Sequence, residues 1–443
     1  MDRHHGANKL PVELLSLVFD SLSLDELLLS SHVSTYWRSV AWRHRTFWRD
    51  ITLAAASPSA IAFFQARLTA GSTRSVIVQL YVPPLEFPAD QRSIVFSTVT
   101  RNLYRIDRLH VEFDVPFEEE LFLTLNHPAP RLNTLDLTVV DDDHPSDALP
   151  VELFASQAPC LRHVRLTNMR LCEDRLPRVF SALIELRYCF GEASFPTAVF
   201  SHCPALETLV IYGEYCSLRS AEGEPCAIAT DSLQFVDVAI RKGCSDLMQR
   251  LPCTSISSVT VMLQDQPAIY DLLDHLRGPL ELRVEMEPGA KNIDLDYLAL
   301  DTGMQRCMRC SPVQATLSTL PSRCVSEHLM SRVQSVQATA NCTGLFPTFR
   351  ELSSCTRVSL SVHEGQRLEP PPQSLSLPKL ERVELSAAPT PQCLDARDLA
   401  AFLDAAFASG SDAVQVTLTG VTLVGDLGLI PRDRFVVESA AQT

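Results

Sequence analysis

The stretch PRLNTLDL, Pro130 to Leu137, places leucines at 132, 135 and 137 directly after a proline. Leu135 and Leu137, two apart, point to one face of a strand, while Thr134 and Asp136 point to the other. The phrase recurs along the chain. PCLRHVRL (Leu161, Val164, Leu166) and PALETLVI (Leu206, Leu209, Ile211) repeat it closely. LIELRY from Leu183, LQFVDV from Leu233, ISSVTV from Ile256 and LERVEL from Leu380 repeat it loosely. Between Leu132 and Ile256 successive phrases begin 22 to 29 residues apart. One strand per such interval, with a helical phrase between strands, is the period of a solenoid of stacked units. The fold class read from this is α/β, with parallel strands on one face and helices on the other. A two-layer α/β domain without true repetition is the alternative. Spacing stops predicting the next apolar phrase between 289 and 350, an insertion or a set of eroded repeats. The repeats are placed at 56–430 and a loosely held tail at 431–443.

Ahead of the repeats stands a different texture: LPVELLSLVFDSLSLDELLLSSHVSTYWRSVAWRHRTFWRDITL, Leu10 to Leu53. Pro11 suits the first turn of a helix, where its missing N–H costs nothing. Leu14, Val18 and Leu22 recur at helical spacing, with Leu15 and Phe19 beside them. Ser23 followed by Glu26 is a capping box that opens a second short helix carrying Leu27 and Leu28. A third holds Val33, Trp37 and Val40, followed by Phe47, Trp48 and Ile51. All three tryptophans, Trp37, Trp42 and Trp48, fall inside this block. Helices this short enclose only a small core, so some of these side chains face another surface.

The ordered set Leu10-Pro11, Glu13-Leu14-Leu15, Val18-Phe19, Leu22, Leu27-Leu28, Val33, Trp37-Arg38 and Phe47-Trp48 resembles an F-box, over about a tenth of the chain. The domain boundaries implied are 1–8 flexible, 9–55 F-box and the solenoid thereafter. The resemblance implies docking onto the Skp-type adaptor of a cullin-based ubiquitin ligase. Carried over residue by residue, the adaptor-binding set is Leu10, Pro11, Leu14, Leu15, Val18, Leu27 and Leu28. Phe19, Leu22, Val33, Trp37 and Trp48 would hold the helices together. Tyr36 departs from the family pattern, which more often has a basic residue there. Joined to degenerate leucine-rich repeats, the whole resembles the F-box/leucine-rich-repeat proteins, particularly divergent fungal members.

Composition narrows the function further. The chain has 443 residues, 46% of them hydrophobic and 21% charged, with a formal charge of −15. That field repels phosphate backbones and argues against a nucleic-acid partner. No apolar run approaches the roughly 20 residues that span a bilayer, and MDRHHGANK lacks the apolar core of a signal peptide. The 14 cysteines then read as reduced thiols, which places the chain in the cytosol or nucleus. Cys307 and Cys310 form the lone C-x-x-C. With Cys324 and His328 they could make four zinc ligands, but a buried reduced pair is preferred. The acidic runs Glu118–Glu120 and Asp141–Asp143 with His144 lack the alternating ligands and glycine of a calcium loop, and read as a solvated helix start and a polar loop. No phosphate-binding glycine loop or nucleophile elbow occurs.

The expected function is therefore non-catalytic, with no cofactor and no metal. The F-box docks on the adaptor and through it a cullin, while the repeats bind an unknown protein target. A repeat scaffold using its F-box in a non-ligase complex is the alternative.

Overall fold

Alternating apolar and polar residues followed by a capped helical phrase make a strand that must be covered on one side and a helix that covers it. The computed structural model describes residues 10–70, 75–81, 88–114, 117–140, 147–172, 175–192, 195–196, 198–215, 232–242, 244, 247–248, 251–262, 272–273, 276–286, 292–310, 326–349, 351–364, 368–371, 373–387, 390–407 and 413–439. The N-terminal segment 1–8 lies outside them. The chain divides into two units, 1–214 and 215–443.

The first unit opens with four short helices, α1 (Val12–Asp20), α2 (Leu24–Ser30), α3 (Thr35–Ala41) and α4 (Arg45–Arg49). Among the described residues these strands follow: β1 (Asp50–Leu53), β2 (Val76–Tyr81), β3 (Ile106–Phe113), β4 (Thr134–Val139), β5 (His163–Thr167), β6 (Glu185–Glu192) and β7 (Thr208–Tyr215). β1 through β6 pair in chain order and all in parallel, and β7 lies beside β6. Parallel neighbours require a crossover between each pair. Here α5 (Pro58–Thr69), α6 (Ala89–Asn102) and α7 (Glu118–Leu125) supply it first, with α5 packed on α6 and α6 on α7. Further on the crossovers shorten to 3-10 turns at Leu153–Ser156 and Arg178–Ala182 and to the one-turn α8 (Ala198–His202). The register places Leu109, Leu135, Val164 and Leu186 side by side, then Val111, Leu137, Leu166 and Tyr188, all in the core. Just before β4, β5, β6 and β7 a backbone ladder ties each strand segment to the one before it: Asn133 N donates to Asp107 O, Arg162 N to Asn133 O, Ile184 N to Arg162 O and Glu207 N to Ile184 O, at 2.8 to 2.9 Å.

The second unit keeps the parallel theme but breaks its order. Its strands in the main sheet are β8 (Phe235–Lys242), β9 (Ser258–Met262), β10 (Leu280–Glu285), β11 (Ile293–Ala299), β12 (Gln305–Cys310), β13 (Val333–Thr339), β14 (Arg357–Val362), β15 (Arg382–Ala387), β17 (Val414–Thr419) and β19 (Phe435–Ser439). β9 pairs not with β10 but with β12. β12 runs antiparallel to β11 and β11 antiparallel to β10, after which β10 meets β13 in parallel. Inside 289–350, expected to be an insertion or eroded repeats, the parallel order breaks at β11. A direct reversal replaces the long crossover: Gly303, at φ +70°, closes it with its N–H on Ala299 O at 2.8 Å. That φ suits glycine. This meander, entered at β10, accounts for the lost rhythm after 289.

From β13 onward the parallel order resumes, through β14, β15, β17 and β19. The one-turn helix α9 (Glu327–Met330) leads into β13, and α10 (Ala396–Ala406) leads toward β17. At Gly420, φ +66°, the chain leaves the main sheet; a Cβ there would sit 2.8 Å from Ala387 O. The next strand, β18 (Val421–Val424), pairs separately with β16 (Gln392–Asp395). The boundary at 430 also needs correction. Phe435 is buried, and β19 pairs with β17 in parallel, so the sheet extends through residues read as a tail.

Candidate functional site

The N-terminal helices are fixed by their caps. Pro11 is the N-cap of α1 rather than its first helical residue, and its carbonyl accepts from Leu15 N at 3.0 Å. Ser23 and Glu26 form the full capping box on α2: Ser23 N donates to Glu26 Oε2 at 2.8 Å and Glu26 N to Ser23 Oγ at 3.4 Å. The bond from Ser23 N, and then one that Ser23 Oγ donates to Glu26 Oε2 at 2.9 Å, hold the Glu26 carboxyl below its usual range. Ser34 caps α3 through Trp37 N at 3.2 Å. Asp20, at the end of α1, pairs with Arg45 at 2.9 Å at the start of α4.

The block has its own small core of Leu15, Phe19, Leu27, Val40, Ala41 and Phe47. Phe19 meets Trp37 edge-to-face at 5.7 Å between ring centres, the geometry aromatic quadrupoles favour. Leu22, Leu28, Trp37 and Trp48 pack half-buried against it. Two residues expected at the adaptor, Leu15 and Leu27, are fully buried; they shape the block from within instead of presenting a surface. Val33, expected in the core, is exposed, because it lies past the end of α2 and before the cap of α3.

Outside this core a large apolar surface is left. Leu14, Leu17 and Val18 stand at i, i+3 and i+4 on α1 and are 49%, 66% and 46% exposed. Leu10, Val12, Leu29 and Trp42 are exposed as well, as is Pro11. Of the carried-over contact set, Leu10, Pro11, Leu14 and Val18 are therefore available, and Leu28 partly so. Leu17, Leu29 and Trp42 were not among the expected residues. Two interleaved stripes on α1, 14/18 and 15/19, are equally apolar in sequence. Packing of Leu15 and Phe19 into the small core, with Phe19 edge-on to both Trp37 and His44, turns the second stripe inward.

Two further contacts position this surface. Tyr36 Oη donates to Leu10 O at 2.9 Å across 26 residues, fastening the Leu10-Pro11 start to α3. Arg67 of α5 is 2% exposed. Its Nε and Nη2 donate to Phe47 O at 2.8 and 2.6 Å, and Nη2 to Asp50 O at 2.7 Å. Its guanidinium carbon lies 5.5 Å from the ring centres of Phe47 and Phe63. Burial lowers its pKa to about 10, so it stays charged at neutral pH and bolts α4 and β1 onto α5.

The other candidates separate. Cys307 and Cys310 are buried on β12, and residues three apart on a strand point to opposite faces. Burial raises both thiols, Cys310 to about 12, far from a reactive thiolate. Cys324 lies outside the described residues, as do Asp141–Asp143 and His144. Among the described residues no group of three or more His, Cys, Asp or Glu could hold a metal ion. The helix start at Glu118 is not fully solvated. Glu118 is buried, burial raises its pKa, and it accepts from Asp147 N at 3.0 Å. No helix among the described residues is long and apolar enough to cross a membrane.

Residues 7–54 match the F-box-like family, a domain of protein–protein interaction. No curated protein matches the chain.

Proposed function

We propose that the chain is the target-recognition subunit of a ubiquitin ligase of the Skp–cullin–F-box type. Its helical block docks on the Skp-type adaptor and through it a cullin. Its parallel strands, read as degenerate leucine-rich repeats with helices behind them, carry the target-binding surface. The observation that supports this best is the exposed Leu14, Leu17 and Val18 face, left outside a helical block whose own core is already closed. Apolar anchors of this kind dominate the energy of protein interfaces. The chain makes and breaks no bonds in this reading. It raises the effective concentration of target lysines near a ubiquitin-loaded enzyme, in the cytosol or nucleus, without cofactor, nucleic acid or membrane.

The test replaces Leu14 and Val18 together with Asp. Both side chains are exposed, so the fold and its melting temperature should be retained while retention of purified adaptor drops at least a hundredfold, about 2.7 kcal/mol. Undiminished adaptor binding by a folded double variant would remove the docking assignment. Co-elution of adaptor without cullin would favour a scaffold outside a ligase.

A further inference from the structure

Arg357 on β14 and Arg382 on β15 are partners in the parallel register. Both are exposed and precede the core residues Val358 and Val383, so both face out of the sheet. Like charges on adjacent strands, spaced about 4.8 Å apart, oppose one another. Their neighbours in the row are committed elsewhere. Ser335 Oγ donates to Glu281 at 3.1 Å. Gln415 accepts from Arg382 Nε and Nη2 at 3.2 and 3.0 Å and donates to Glu438 at 2.7 Å. This chain of bonds holds the Arg382 fork in place, with Glu384 3.7 Å from its Nη1. The Arg357 guanidinium makes no hydrogen bond or ion pair among the described residues.

The two arginines line a cleft of about 310 Å³ together with Gln334, Thr356, Gln415 and Leu300, and Leu300 is exposed despite its size. Glu381, the carboxylate that also lines it, forms no ion pair with either arginine. We infer that this cleft is an oxyanion site for an acidic side chain of a target polypeptide, with an apolar neighbour of that side chain resting on Leu300. Guanidinium forks match carboxylate and phosphate oxygens two at a time. An anion bridging Arg357 and Arg382 also removes their mutual repulsion. The site deepens the target-binding half of the proposed function and requires nothing of the adaptor-binding half.

The experiment uses the full chain without adaptor and fluorescent peptides that differ at one position, Leu-Glu, Leu-phosphoserine or Leu-Ser, read by anisotropy. The glutamate or phosphoserine peptides should bind and the serine peptides should not. Arg357→Gln and Arg382→Gln should each raise Kd about tenfold or more. Arg357→Lys, which keeps the charge and loses the fork, should fall between, and Ser361→Ala on the same strand should change nothing. Circular dichroism melts of each variant separate loss of the site from loss of the fold, and the folded Arg357→Lys variant decides if either Gln variant fails to fold. Binding of acidic and neutral peptides alike, binding of none, or acidic binding indifferent to Arg357 overturns the site. Inorganic phosphate binding as tightly as the peptides overturns the polypeptide ligand and leaves an adventitious ion only. None of these outcomes bears on adaptor docking, which stands or falls with the Leu14 and Val18 variant.

Discussion

Leu14 on α1 and Leu135 on β4 are the same side chain with opposite fates, 49% exposed in one region and fully buried in the other. On β4 the alternation leaves no choice: Leu135 and Leu137 face the core while Thr134 and Asp136 face out. The helical block instead carries more large apolar side chains than its core of six can enclose. What is left over marks a surface whose burial waits for another molecule, whereas the strands complete their burial within the chain. The contrast separates residues that hold the fold from residues that serve binding.

That contrast breaks most readily by truncation. Leu135→Ala should cost about 2–5 kcal/mol, the loss for a leucine in a closed core. Leu14→Ala should stay within about 0.5 kcal/mol of wild type, as surface changes do. Urea denaturation of both measures it. A Leu14→Ala loss equal to that of Leu135→Ala would mean that α1 buries this face within the chain, and the docking surface would have to be sought elsewhere.

Arg67 sharpens the boundary between the two regions. Arg67→Met keeps much of the volume but leaves the Phe47 and Asp50 carbonyls without their donor. A buried acceptor left unmet costs about 1–3 kcal/mol, so a loss of about 2–3 kcal/mol is expected in urea denaturation. Adaptor affinity should weaken along with it, because the block loses its anchor on α5. A variant as stable as wild type would show that the block is held by its apolar contacts alone.

These residues also show how far the sequence reaches. The capping box and the strand phrases were legible because each is a local pattern with one structural outcome. Leu-x-x-Leu-x-Leu gives the inward residues of β4, β5 and β7 directly. Strand direction is not encoded in alternation, so nothing in IDLDYLA announces that β11 runs backwards. The strands of the meander also bury polar residues, Glu281, Asp296 and Arg306 among them, which erases the period-two signal. A short apolar run near a chain end, such as FVVES, carries no period and so does not announce β19. On α1 the sequence supplied both apolar stripes but not which one turns inward. Arg67 lies on the buried stripe of α5 with Phe64 and Leu68, a place that residue type alone does not announce, since arginine is mostly exposed.

The smallest expected effect lies on the outward face of the strands, where polarity replaces packing. His110 of β3 has Nδ1 3.1 Å from Asp136 Oδ2 and Nε2 3.2 Å from Glu112 Oε1. The hydrogen bond to Asp136, more than the opposing partial burial, raises its pKa above the usual 6.5. A histidine raised on folding stabilises fully below its unfolded pKa, and that contribution fades as pH rises through the higher folded value. Wild type should therefore exceed His110→Gln in stability at pH 6, by up to about 1 kcal/mol as for partly exposed ion pairs, and the margin should shrink by pH 9. Comparing the two proteins at each pH cancels titrating groups that His110 does not touch, including Glu118, whose pKa burial also raises and whose contribution therefore also fades with rising pH. Proton resonances of the ring should titrate above 6.5 in the folded chain. A margin that grows with pH, or a folded pKa below 6.5, would mean that burial outweighs the two carboxylates, and that this part of the outward face behaves more like core than like surface.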